Sequence, residues 1–113
     1  MKKVHPFVQK CIHYQATHQW QWLVFHVARC PFWLKLEEAL IRHNQTYISV
    51  CVDDKEEFNA METLAIRNSL ESMTGLCTTP CVYRHGGYVG DSQKALECLE
   101  REAGHSSIPA AAA

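Results

Sequence analysis

The stretch WQWLVFHVARCPFWLKLEEALIRH, residues 20–43, decides the architecture. Its first part, Trp20 to Val27, is apolar almost without a break and rich in aromatic and β-branched side chains, the composition of a strand covered on both faces. From Pro31 to His43 the period changes. Trp33, Leu36, Leu40 and Ile41 are read as one face of a helix, and Pro31 stands at a helix-starting position that needs no amide hydrogen. Cys30 is the residue between the two, where strand gives way to helix.

Working outward, Tyr47 to Val52 alternates between Asn44-Gln45 and Asp53-Asp54, which predicts a second strand parallel to the first through the crossover helix. Lys55 to Met73 carries Phe58, Met61, Leu64 and Ala65, then Ile66, Leu70 and Met73. That is a helical pattern ending at Gly75 whose stripe shifts midway, as in a kinked or split helix. Beyond Pro80, Cys81-Val82-Tyr83-Arg84 and Tyr88-Val89 flank His85-Gly86-Gly87, the pattern of a hairpin with a glycine-bearing turn. Asp91 or Ser92 then caps a last helix carrying Ala95, Leu96 and Leu99. On the amino-terminal side, Pro6 to Thr17 spaces Phe7, Val8, Cys11, Ile12 and Ala16 at helical intervals. The order αβαβαββα predicts an α/β fold of thioredoxin-like layout, a four-stranded mixed sheet flanked by helices.

The chain of 113 residues suits one domain over 1–113, with its core at about 7–103 and residues 104–113 as a tail outside it. The net charge of -1 is spread without a basic block, so no nucleic-acid partner is expected. No apolar run approaches the roughly 20 residues that span a bilayer, and Met1-Lys2-Lys3-Val4-His5-Pro6 lacks a signal-peptide apolar stretch. Membrane insertion is therefore not expected. Cys11, Cys30, Cys51, Cys77, Cys81 and Cys98 fall largely in apolar segments and are read as free thiols. That usage fits an intracellular reducing compartment, cytoplasm or mitochondrion. They do not form the two close pairs of a zinc site, so no dedicated metal site is expected.

The set Cys30-Pro31-Phe32-Trp33 after Leu23-Val24-Phe25, with Thr78-Thr79-Pro80 ahead of a hairpin, resembles the glutaredoxin family. The family's Cys-Pro-Tyr-Cys site matches Cys30 to Trp33 except at the fourth position. Its stretch Thr-Gly-x-x-Thr-Val-Pro-x-Val-Phe, a turn, then Ile-Gly-Gly and Ser or Cys aligns with Thr74 through Ser92. Agreement or near agreement falls at Thr74, Gly75, Thr78, Pro80, Val82, Tyr83, Gly86, Val89, Gly90 and Ser92, and the resemblance covers roughly Phe7 to Ala103.

A cysteine just before a helix lies at the positive end of its dipole, facing unpaired amides that favour thiolate. The resemblance implies that Cys30 is the catalytic nucleophile and that glutathione is bound by Cys30, Thr79, Pro80, Gly90, Asp91 and Ser92. Pro80 would be the family's cis-proline, leaving the backbone groups of Thr79 to pair with an extended ligand. Trp33 has no thiol, so a dithiol cycle through this motif is excluded and a monothiol cycle on Cys30 is expected. Trp33 itself, on the Leu36 and Leu40 stripe, is expected to fill core volume.

Four departures from the family weaken glutathione binding or turnover: Val27 for a lysine, Trp33 for a cysteine, Leu76-Cys77 for polar residues, and Asp91 with Gln93 in the helix-start segment. Single-cysteine relatives of this kind also suggest a dimer holding an iron-sulfur cluster through Cys30 and glutathione, against which Trp33 stands in place of a small serine. Two functions are carried forward from the resemblance. The first is a glutathione-dependent monothiol thiol-disulfide oxidoreductase acting on glutathionylated proteins. The alternative is a catalytically degenerate subunit with a structural role in a larger protein assembly.

Overall fold

The computed structural model describes residues 6–18, 21–74 and 80–112, with only the backbone element described at 73–74 and 103–112. The continuous apolar run becomes β1 (Trp22–His26), whose five residues are all buried. It is buried because it has a strand on either side. β2 (Tyr47–Cys51) pairs with it in parallel, Trp22 opposite Tyr47 and His26 opposite Cys51. β3 (Cys81–Arg84) pairs with it antiparallel, Phe25 opposite Cys81, and β4 (Gly87–Gly90) closes the hairpin in the order β2-β1-β3-β4.

Side chains alternate across a strand, so β1 supplies two cores. Leu23 and Phe25 face a cluster with Val8 of α1 (Pro6–Thr17) and Ile66 and Leu70 of α3 (Ala60–Thr74). Trp22 and Val24 face the opposite cluster, with Trp33, Leu36 and Leu40 of α2 (Pro31–Arg42) and Ala95 and Leu99 of α4 (Ser92–Ala112). The α/β sheet with helices on both faces is thus as the element order predicts. Arg84 fastens β3 to α4 through a two-pronged ion pair with Glu102, and its guanidinium lies 4.6 Å over the Trp22 ring.

Several details differ from the sequence reading. Ile41 is 60% exposed rather than on the buried face. It follows Leu40 by about 100° around the helix, which carries it off the stripe of Trp33, Leu36, Ala39 and Leu40. The helix expected from Lys55 begins at Ala60, behind a capping box: the Asn59 side chain accepts from the Glu62 amide at 2.8 Å, and Glu62 accepts from the Asn59 amide at 2.9 Å. The shift in its stripe is therefore neither kink nor split. Phe58 lies before the helix, buried edge-on against Phe7, while Met61 and Leu64 project into solvent.

The hairpin turn is the pair His85 and Gly86, both at positive φ (52° and 82°), as in a two-residue turn that follows the strand twist. Gly87, expected in the turn, begins β4. α4 continues past Gly104 to Ala112, through the stretch 104–113 expected from sequence to be a tail outside the core. At the end of α2, the amides of Asn44 and Gln45 return to the carbonyls of Ile41 and Leu40, with Asn44 in the left-handed region. Among the described residues no helix is long and apolar enough to cross a membrane.

Candidate active site at the carboxyl end of the parallel strands

Strand direction gathers most of the sequence-predicted site at one end of the sheet. β1 ends at His26 and leads through residues 27–29 to Cys30. β3 runs the other way, so Pro80, which is buried, precedes its first residue at that same end. β4 again runs with β1, and its last residue Gly90 delivers Asp91 and Ser92 there too. Thr79 lies outside the described residues, as do Thr78, Leu76 and Cys77.

Cys30 is the N-cap of α2, in extended conformation, and its side chain makes no capping hydrogen bond. Its carbonyl accepts from Leu34 at 3.1 Å. Pro31 has no amide hydrogen, so the first-turn amides without an acceptor inside the helix are those of Phe32 and Trp33. Helix geometry thus offers donors and a positive dipole end beside the sulfur. Cys30 is 8% exposed, whereas Phe32 beside it is 62% exposed.

Trp33, one turn into α2, is buried as expected of a core residue. Its indole stacks on His26 with centroids 4.5 Å apart and planes 14° from parallel, and Tyr47 meets it edge-on at 5.9 Å. The Tyr47 hydroxyl donates to Glu37 at 2.9 Å. Burial pushes the His26 pKa below its ordinary value of 6.5, against the opposing pull of its contact with the Val27 carbonyl and of Glu37 and Asp53. Burial thus favours the neutral form of the imidazole that lies under the Trp33 ring.

At the other flank, Asp91 rather than Ser92 caps α4: its carboxylate accepts from the Lys94 amide at 3.0 Å, and Ser92 is buried. Gly90 has φ 141°, and a Cβ there would fall 2.8 Å from Lys94 Cγ, so only glycine turns this corner. The Asp91 carboxylate stands at the helix start, where an anionic ligand would meet a like charge.

Asp53 has no place in the sequence-predicted site, yet its Oδ1 accepts from the Ala28 amide at 2.8 Å and from Cys51 Sγ at 3.1 Å. The bond from Cys51 is the first cause holding the Asp53 carboxyl below its usual range, burial opposes it, and the Ala28 amide and the Arg67 charge add to it. Conversely, burial and then Asp53 push the Cys51 thiol up to about 11. Only a negatively charged pair of residues ending a strand marks Asp53 in the sequence.

Among the described residues, the other cysteines divide between the sheet faces. Cys81 belongs to the α1/α3 core and Cys30 to the α2/α4 core, so Cys81 does not approach Cys30 as a resolving thiol. Burial raises Cys81 to about 12, and burial with the Glu57 charge raises Cys11 to about 11. Cys98 lies on the Cys30 face but beside Arg84, whose ladder partner is Trp22 at the opposite end of β1. Among the described residues no cluster of His, Cys, Asp and Glu is arranged to hold a metal ion.

No protein-family model and no curated protein matches the sequence. Solved structures do match. A buckwheat glutaredoxin–glutathione complex superposes with a TM-score of 0.69 at 19% identity, covering 84% of this chain and 80% of that one. The holo form of glutaredoxin C1 from Populus tremula x tremuloides gives 0.67 at 19% identity, over 83% and 86% of the two chains. The fold is that of a glutaredoxin. Oxidized glutaredoxin 2 from Chlamydomonas reinhardtii, at 23% identity and a TM-score of 0.61, covers 87% of this chain and 91% of its own. Within this glutaredoxin fold, the strand–helix junction carries a single thiol at Cys30 and an indole, not a second thiol, one turn later at Trp33.

Proposed function

We propose that this chain is a glutathione-dependent monothiol thiol-disulfide oxidoreductase acting through Cys30. The observation that carries the reading is the position of Cys30 as N-cap of α2, at the sheet end shared with Pro80 and the Gly90-Asp91-Ser92 segment, in a glutaredoxin fold. The Cys30 thiolate attacks the glutathione sulfur of a glutathionylated protein, forming a Cys30–glutathione disulfide and releasing the protein thiolate. A second glutathione thiolate then attacks the glutathione sulfur of that disulfide, forming glutathione disulfide and returning Cys30 as thiolate. The backbone groups of Thr79, left free by Pro80, would pair with the extended tripeptide, and Gly90 and Ser92 would bind it beside the start of α4. The setting proposed is one domain in a reducing compartment, cytoplasm or mitochondrion.

The test is incubation of the reduced protein with glutathione disulfide, with the mixed disulfide mapped by peptide mass. Cys30 is expected to be modified first, to be released by added glutathione, and to be lost as a site in Cys30→Ser. Labelling of Cys30 no faster than Cys98 overturns the reading.

A second reading has its own support. Cys30 is nearly closed to solvent and Asp91 sets a carboxylate at the start of α4, both of which suit a degenerate subunit of a larger assembly. Isolation from the native source as a free monomer would count against it.

A further inference from the structure

The segment that carries Cys30 out of the sheet contains an unfavourable step. Arg29, immediately before Cys30, has φ 57°, a left-handed conformation that a residue with a side chain adopts only when its surroundings hold it there. Arg29 is exposed, as is Ala28, so packing does not supply that hold. Cys30 enters α2 with no side-chain cap. What reaches into the segment is the carboxylate of Asp53, from beyond the end of β2, at 2.8 Å from the Ala28 amide. Parallel pairing of β1 and β2 puts the two at the same sheet end, and the Val52 amide to His26 carbonyl bond of 2.8 Å fixes the strand ends one residue earlier.

We infer that Asp53 is the positioning residue for Cys30: its Oδ1 holds the Ala28 amide, fixes the left-handed step at Arg29, and so sets the sulfur at the start of α2. This deepens, and in its kinetic consequence rests on, the reading of Cys30 as the exchanging thiol. The Cys51 thiol donates to the same oxygen and orients the carboxylate toward Ala28. The hold needs an acceptor at Oδ1 rather than a charge. Asp53→Asn keeps such an acceptor and Asp53→Ala removes it.

The full-length chain and both variants would be compared by amide exchange at Ala28 and by the rate of mixed-disulfide formation at Cys30 with glutathione disulfide. In Asp53→Ala, exchange at Ala28 should speed by about tenfold or more. The Cys30 rate should fall by about tenfold. Amides of β1 should stay protected, and Asp53→Asn should recover both measurements. An Asp53→Ala protein with unaltered exchange at Ala28 overturns the inference, as does an Asp53→Asn protein as impaired as Asp53→Ala. Should Asp53→Ala not fold, the inference stands or falls on whether Asp53→Asn keeps wild-type Ala28 protection and Cys30 rate. A wild-type Cys30 that forms no mixed disulfide overturns the enzymatic reading instead, and the Ala28 amide then decides whether Asp53 holds the segment.

Discussion

Trp33 and His26 act on each other more than either acts on solvent. The indole covers the imidazole at 4.5 Å, both are buried, and the cost of charging His26 there lowers its pKa. The folded chain then binds a proton at His26 less readily than the unfolded chain does. The stability this contributes is fully present above about pH 6.5, the ordinary value, and is lost as pH falls through the lower folded value. Urea unfolding at a series of pH values should show stability declining below pH 6.5, with a shallower decline in His26→Phe, which keeps the stack and does not titrate. Equal slopes in both proteins would remove His26 as the cause. The place of Cys30 was legible because Pro31 and the change of period mark the junction in neighbouring residues. The role of Asp53 was not, because Ala28 lies 25 residues away and only the pairing of β1 with β2 brings them together.

α3 shows what local pattern does and does not carry at the scale of an element. Apolar residues at helical spacing run from Phe58 onward, but the helix starts where the backbone finds a cap, at Asn59 with Glu62. Phe58 belongs to the core without belonging to the helix, so periodicity alone sets the start too early and makes a change of stripe look like a kink or a split. Asn59→Ala removes one acceptor from the first turn and is expected to cost about 1 kcal/mol, read as a lower urea midpoint at unchanged m. A midpoint equal to wild type would mean that packing of Ile66 and Leu70 alone fixes the start of α3. The bounds of α1 and the central position of β1 followed directly from sequence, since Pro6 opens the one and unbroken apolar composition defines the other.

For the molecule as a whole, element order implied the mixed sheet, and the observed order β2-β1-β3-β4 agrees. Contacts between distant polar groups were beyond that reasoning. Gln15, on α1, is almost fully buried; its amide donates to the Gln21 carbonyl at 3.0 Å and accepts from the Gly86 amide at 2.7 Å, joining the first helix to the hairpin turn. Gln15→Leu keeps the bulk and leaves both backbone partners without that amide. A loss of about 1–3 kcal/mol in thermal or urea unfolding is expected, and a neutral result would show that water replaces the amide.

The sheet also parts the thiols, with Cys81 in the core on one of its faces and Cys30 in the core on the other. While each side chain keeps its own face of the sheet, the two sulfurs do not meet. A Cys30–Cys81 crosslink in an aged or oxidised preparation would therefore be a scar of past opening, recording molecules whose packing had come apart at that end of the sheet before the bond closed, whatever shape they later regained.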